Sequence, residues 1–248
     1  MGTGAPTAKT KFDYAVTSRL DLISKYYDLS GKRVLDLGCG NGVYTAEIAK
    51  VADSVLGIEA NERYYQDAIR LKEEERIKNL ELKCCRIEDL NCIEKFDVVV
   101  MIEVLEHIPD ERLVLQKIRE CLVEDGYFIM FVPNKLYPFE THGMRIFGRN
   151  IHFKGSVPLL SWAPTFIRRH VVDEKIYTKR GIKRLLNDNG FEAVAFDYFL
   201  PPLDLINNKI AGPIRGTLQF IERTPLKAFG ISVFCIARKR GHSGRPTL

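Results

Sequence analysis

The chain has 248 residues, of which 46% are apolar and 28% charged, with 18 Gly and 11 Pro. That composition excludes low-complexity and collagen-like chains and fits one large domain, or one domain with an appendage. No run approaches the roughly 18 consecutive apolar residues of a spanning helix, and residues 1–11 lack the apolar core of a signal peptide.

The net charge of +5 conceals a division. Residues 1–134 hold 18 basic and 24 acidic side chains, whereas residues 135–248 hold 19 and 8. A basic second half points to an anionic partner, with a solvated surface as the plain alternative. The six cysteines, at 39, 84, 85, 92, 121 and 235, show neither C-x-x-C nor zinc-type spacing. Cys39, Cys84, Cys121 and Cys235 fall in or beside apolar runs and read as small hydrophobes. Reduced thiols in a cytoplasmic protein are the expectation.

The first half alternates strand and helix. Residues 33–38 form a short apolar strand that breaks at glycines, and 44–51 follow with helical spacing. A second strand is predicted at 54–59, a charged helix at 62–78 and a third strand at 80–84. Residues 96–102 read F-D-V-V-V-M-I, a run suited to a strand buried on both faces. A helix at 111–122 and a fifth strand at 126–132 complete the pattern, which is that of a doubly wound, Rossmann-like α/β sheet. Further on, 178–189 reads as a helix with Thr178 as its N-cap and Gly190 at its end. Strands are predicted at 191–200 and 229–238, joined through a helix at 205–221.

The chemistry starts at Asp36-Leu-Gly-Cys-Gly-Asn-Gly42, where the first strand meets the next helix. Glycines at 38, 40 and 42 permit close backbone approach and positive φ. The spacing is G-x-G-x-G behind an acid, not the dinucleotide G-x-G-x-x-G. Asp36 would repel a pyrophosphate and suits a ligand carrying an ammonium group. Glu59, ending the second strand, can accept both hydroxyls of a ribose. The site therefore calls for an ammonium, a ribose and no phosphate.

V-L-D-L-G-C-G-N-G, the acidic end of strand two and F-D-V-V-V-M-I-E-V-L-E-H-I-P-D together resemble the class I S-adenosylmethionine-dependent methyltransferases over residues 33–134. The resemblance implies a seven-stranded sheet whose last strand inserts antiparallel, with an inserted helical or irregular cap. It implies S-adenosylmethionine as cofactor. Gly38, Cys39, Gly40 and Gly42 would lie along its methionine part, Glu59 on the ribose, and Ala60 against the adenine. Ile102 and Glu103 would lie near the sulfonium, and Arg19, on a helix before the first strand, would pair with the cofactor carboxylate. One position departs from the pattern: Arg86 stands where relatives carry an adenine-facing Asp, and Glu88 or Asp89 is the substitute.

Glu103-Val-Leu-Glu106-His107 leaves the fourth strand at its carboxyl edge, where open α/β sheets bind ligands. The stretch resembles those of ubiquinone-pathway O-methyltransferases and small-RNA 2′-O-methyltransferases, which use a metal. That resemblance raises Glu103, Glu106, His107 and His170 as ligands of a divalent cation, an option not adopted, because V-L-E-H is also widespread in metal-free methyltransferases. The catalytic candidates are His107, His142 and Glu106. Residues 135–170 hold six basic residues, three His and one acid, together with six of the aromatic side chains, and read as an acceptor-binding cap. The organisation expected is a cofactor-binding core at 1–134, the cap at 135–176, and completion of the sheet at 177–240 with a helical insertion at 201–228. A basic tail at 241–248 would follow. The function implied is methyl transfer to an oxygen of a small-molecule or lipid-like, anionic acceptor, with peripheral membrane contact open. The alternatives are a metal-using RNA 2′-O-methyltransferase and a non-catalytic S-adenosylmethionine-binding protein.

Overall fold

The structure, a computed structural model, describes residues 8–140, 144–146, 149–151, 157–158, 162, 175–200 and 224–241. Five helices and a seven-stranded sheet make up most of it: α1 (Ala8–Tyr26), β1 (Arg33–Leu37), α2 (Val43–Ala49), β2 (Ser54–Glu59), α3 (Glu62–Glu74), β3 (Leu80–Cys84), β4 (Phe96–Ile102), α4 (Glu111–Cys121), β5 (Leu122–Pro133), α5 (Lys179–Asp188), β6 (Phe191–Phe199) and β7 (Ser232–Lys239). The strand order is β6-β7-β5-β4-β1-β2-β3. β1 pairs in parallel with β2 and β4, β2 with β3, and β4 with β5. The direction of β7 follows from its two ends. Lys239 Nζ donates to the Leu122 carbonyl at the start of β5, and the Asn134 N–H just past β5 donates to the Ile231 carbonyl just before β7. β7 is therefore antiparallel to β5, as the sequence resemblance implied.

The central strands form where the apolar runs are unbroken. Val98 to Met101 are fully buried, as are Val34 and Leu35, the pattern of a sheet covered on both faces. Helix starts are set by local chemistry: the side chain of Asn61 accepts from the Arg63 and Tyr64 N–H groups, and that of Asp110 from Arg112 and Leu113. By contact the chain divides into two units, one of Ile23–Val132, Lys179–Phe196 and Phe234–Leu248, the other of Met1–Leu22, Pro133–Thr178 and Asp197–Val233. The second unit includes two short antiparallel ribbons, Phe139–Glu140 with Val157–Pro158 and Met144–Ile146 with Arg149–Ile151.

Several boundaries differ from expectation for physical reasons. α3 stops at Glu74, because Arg76 takes a left-handed φ of 55°. β5 begins at Leu122, directly after α4. Phe96 pairs with Leu122 and Val98 with Tyr127, so extra residues bulge from β5 around Asp125, whose φ is 59°. The cysteine expectation needs correction. Cys92 and Cys121 form a disulfide with Cα atoms 5.0 Å apart, although 29 residues separate them. Their proximity is tertiary: Lys95 Nζ donates to the carbonyls of both Cys92 and Glu120, holding the segment before β4 against the end of α4. Cys39 and Cys235 are buried, as read, but Cys84 is exposed and its Sγ lies 3.1 Å from Glu62 Oε2. The helix expected at 205–221 lies outside the described residues. Among the described residues no helix is long and apolar enough to cross a membrane.

Asn134, buried beyond the end of β5, fastens the second unit. Its Nδ2 donates to the Ala228 and Gly230 carbonyls at 2.8 and 2.7 Å, and its Oδ1 accepts from the Leu136 N–H at 3.0 Å. Asn134→Ala leaves three backbone groups without these partners. An unmade buried hydrogen bond costs about 1–3 kcal/mol. The variant is expected to lose roughly 2–3 kcal/mol in a urea unfolding titration.

Candidate active site

Parallel pairing brings the carboxyl ends of β1 to β4 to one edge of the sheet. β1 is flanked by β2 and β4, so the connections leave it in opposite directions, the arrangement that opens a crevice at a sheet edge. Four segments meet this edge: Gly38–Gly42 after β1, Glu59–Asn61 after β2, the turn Ile87–Asp89 after β3, and Ile102–His107 after β4.

The turn after β1 is tied to β2. The N–H groups of Gly38 and Cys39 both donate to the Ile58 carbonyl, at 2.8 and 2.9 Å. Gly40 N–H donates to Glu59 Oε2 at 2.8 Å, and Asn61 N–H donates to Glu59 Oε1 at 2.7 Å. Each carboxylate oxygen has about two acceptor positions, so Glu59 keeps one on each oxygen for a further donor. The three glycines do different things. A Cβ on Gly38 would sit 2.5 Å from a Val104 methyl, and one on Gly42 2.8 Å from the Ala68 Cβ. Those two glycines therefore admit neighbouring side chains of the protein itself. Gly40, at φ 56°, faces open space.

Asp36 lies in β1, opposite Gly57 on one side and Val100 on the other. It is buried, and its carboxylate accepts from the Thr45 hydroxyl at 2.6 Å, which ties β1 to α2. The sequence had placed this acid against a ligand ammonium; the structure gives it a partner within the protein. Burial pushes its pKa from 3.8 up to about 6; the Thr45 bond opposes the shift and the nearby Glu59 charge adds to it. Cys39 is buried beside it, and burial raises its thiol pKa as well.

After β3, Arg86 takes up Glu88: Nη2 donates to Oε1 at 3.0 Å, and Nε lies 3.5 Å from Oε2. The guanidinium holds the Glu88 carboxyl below the usual range. The departure at position 86 thus serves the acid proposed to replace the missing Asp. Ala60 is exposed at the same edge, and Ile102 is half-buried. Glu103 adopts a φ of 53°, and its N–H donates to the Phe131 carbonyl at 3.0 Å. A non-glycine residue in this region is a marker of functional sites.

Glu106 and His107, adjacent in sequence, face different surroundings. The Glu106 side chain is 1% exposed and the His107 ring 55%, with Nε2 of His107 3.9 Å from Oε1 of Glu106. Among the described residues, no group of three or more His, Cys, Asp and Glu side chains could hold a metal ion. Arg19 belongs to the other unit, where its guanidinium lies 4.4 Å over the Phe199 ring. His142 and His170 lie outside the described residues. Sequence reasoning missed Thr45, Asn61, Val104 and Ala68. Asn61, directly before an acidic helix start, carried a readable N-cap signal; the other three are partners that only the fold supplies.

The comparisons identify the family. A family model described as a methyltransferase domain matches residues 28–190. A ubiquinone biosynthesis O-methyltransferase of Neisseria meningitidis serogroup A is 36% identical over 120 residues, 47% of this chain and 50% of that protein. The counterpart from Idiomarina loihiensis is 26% identical over 201 residues, 80% of this chain and 73% of that protein. The N. meningitidis match thus spans about half of that protein's length. Among solved structures, an S-adenosylmethionine-dependent methyltransferase from Mesorhizobium loti aligns with a TM-score of 0.61 at 16% identity, covering 89% of this chain and 96% of that one. Magnesium protoporphyrin IX methyltransferase from Synechocystis, solved with bound SAM, aligns at 0.56 and 16% identity, covering 96% and 86%.

The fold is that of a class I S-adenosylmethionine-dependent methyltransferase. The chain belongs to the methyltransferase-domain family. S-adenosylmethionine is the cofactor, and the residues present fit it. A carboxylate with free acceptor positions suits a ribose, and the open side of Gly40 leaves room beside it.

The titration of Asp36 carries a stability cost. Its folded pKa lies above the unfolded value, so the group favours folding below about pH 4, and that contribution is lost as pH rises through about 6. Asp36→Asn is therefore expected to raise unfolding free energy at pH 7.5 by on the order of 2–3 kcal/mol. It should also flatten the fall in stability between pH 4 and pH 6. Urea titrations across that range give both readings.

Proposed function

We propose that this chain transfers the methyl group of S-adenosylmethionine to an oxygen of a small-molecule or lipid-like, anionic acceptor. The observation that carries the reading is the Glu59 carboxylate, held by two backbone amides at the sheet edge with acceptor positions to spare. When bound, the cofactor supplies an electrophilic methyl group on a sulfonium sulfur. In this reading Glu59 accepts the ribose hydroxyls, Gly40 borders the methionine part, Ala60 lies against the adenine and Glu88 takes its amino group. Ile102 and Glu103 lend backbone beside the reacting sulfur, and Asp36 with Thr45 fixes the turn.

Most of the catalysis is positioning, since holding both reactants together removes the entropy of encounter. With S-adenosylmethionine bound, its methyl carbon would pass to the acceptor oxygen, and the electron pair of the broken carbon–sulfur bond would stay on sulfur. The hydroxyl proton passes to the exposed imidazole of His107. Residues 135–170, with six basic side chains against one acid, and the named activity of the O-methyltransferase relatives support that acceptor class.

Glu59→Ala removes a charged acceptor worth about 1.5–3 kcal/mol per hydrogen bond. Calorimetric S-adenosylmethionine affinity should drop by about 10²-fold or more. His107→Ala should keep that affinity and lower kcat by about 10²–10⁴-fold. Methyl-labelled cofactor, offered with separate lipid, soluble-metabolite and RNA fractions, should label one of the first two. Label confined to RNA would overturn the acceptor class, and unchanged binding by Glu59→Ala would overturn the site.

A further inference from the structure

The connection from β3 to β4 is built unlike its neighbours. Parallel strands are joined by crossovers that usually carry a helix, as α2, α3 and α4 do for the other strands from β1 to β5. Residues 85–95 have to pass β2 and β1 to reach β4, and they contain only the 3-10 turn Ile87–Asp89. Ile87 and Leu90 are buried, whereas Ile93 is 83% exposed. Among the described residues, the backbone hydrogen bonds of residues 86–93 stay within the connection: the Asp89 N–H donates to the Arg86 carbonyl, Leu90 to Ile87, and Ile93 to Asn91. Four contacts hold it from outside. The Cys85 N–H donates to the Glu59 carbonyl, the turn packs against α4, Lys95 Nζ donates to the Glu120 carbonyl, and Cys92 is bonded to Cys121. Only the last is covalent, and it ties the connection to the final residue of α4, the helix on which the turn rests.

We propose that Cys92 and Cys121 form a reversible thiol–disulfide exchange site, with glutathione-type thiols and disulfides as co-substrates, whose state sets the hold on the Ile87–Asp89 turn. The two sulfurs differ in access. Cys92 is half-buried between exposed Asn91 and Ile93, whereas Cys121 is fully buried. A small thiol therefore meets the pair from the Cys92 side. Its thiolate attacks the Cys92 sulfur, and Cys121 leaves as a thiolate that takes up a proton. A second thiol attacks the mixed disulfide, releasing the Cys92 thiol and one small-molecule disulfide. Oxidation runs the same steps backwards, with Cys121 resolving the mixed disulfide on Cys92. The fold does not depend on the bond, since Val114, Leu115 and Ile118 bury α4 and Val98 to Met101 bury β4. What the bond changes is the freedom of the connection. Reduced, it keeps only non-covalent anchors, and the turn bearing Glu88 spends less time in place. A smaller binding-competent fraction lowers apparent cofactor affinity in proportion. That coupling rests on the reading of Glu88 as an adenine contact; the exchange chemistry does not.

The test equilibrates the full chain with glutathione and glutathione disulfide at graded ratios, then traps thiols with N-ethylmaleimide after unfolding. With six cysteines, the reduced chain should take up six labels and the oxidised chain four. Peptide mapping should place the missing two at Cys92 and Cys121. In the reduced form, amide hydrogen exchange over residues 86–95 should be faster, and calorimetric S-adenosylmethionine affinity should be weaker by about threefold or more. Cys92→Ser, at a half-exposed position, should show the reduced-form affinity at every glutathione ratio; Cys121→Ala should do the same. Six labels at every ratio would overturn the proposal, as would a bond between other cysteines or one that persists in excess glutathione. Equal exchange rates and affinities in the two forms would overturn the coupling. Glu88→Ala tells that failure from a failure of the adenine reading: a loss of affinity in this variant leaves the reading standing while the latch falls.

Discussion

Two backbone amides close on the carboxylate of Glu59, and the shape of the sheet edge follows from that contact. One amide belongs to Gly40 in the turn after β1, the other to Asn61 at the start of α3. The neighbouring Ile58 carbonyl takes the N–H groups of Gly38 and Cys39, so the glycine turn hangs from the end of β2 by three hydrogen bonds. Register fixes β2 in turn: Ile58 pairs with Leu37 of β1 and Glu59 with Cys84 of β3. The group proposed to take the ribose is thus also the group that shapes the glycine turn. Under that proposal binding and scaffold are one arrangement, held on strands instead of free loops, which is what precise positioning requires.

Asp36 shows what such an arrangement costs. A carboxylate in the central strand, flanked by Gly57 and Val100 and walled in by apolar neighbours, is an unfavourable place for charge. An apolar residue there would suit the sheet better. The acid instead bonds Thr45, itself fully buried, and so ties β1 to α2 on either side of the glycine turn. Glu103, in a left-handed conformation after β4, is a second local departure at the same edge. Residues that break local rules gather at functional sites because the surrounding structure can sustain them there.

The strands β1 to β4 were legible because each is an apolar run closed by glycine, proline or charged residues, and the ends of β2, β3 and β4 fall where the pattern stops. The stop of α3 was not, since a left-handed Arg76 has no signature in side-chain periodicity. The bulge in β5 was hidden for a similar reason: it depends on how many residues face β4, which is a matter of pairing. Within the site, the glycines and Glu59 could be found from spacing, but their individual tasks could not. Whether a glycine faces a ligand or a neighbouring side chain is decided by Val104 and Ala68, 66 and 26 residues further on. The Cys92–Cys121 pair and the Arg86–Glu88 ion pair are likewise products of the fold or of side-chain choice, with no spacing rule to announce them.

The charge division visible in the sequence also changes meaning once the fold is known. Part of the basic second half serves the sheet itself. Lys239 is buried and bonds the Leu122 carbonyl and Glu124, Arg238 pairs with Glu192, and Arg240 reaches Asn187. Lys179 lies 5.0 Å from the centre of the Phe196 ring. These cations belong to α5, β7 and the residue that follows it, and their unit is close to neutral as a whole. The excess positive charge that remains, 14 basic against 8 acidic residues, belongs by sequence to the other unit. Basic residues used for packing and ion pairs lose most of their pull on a distant partner, because the nearby opposite charge cancels their field.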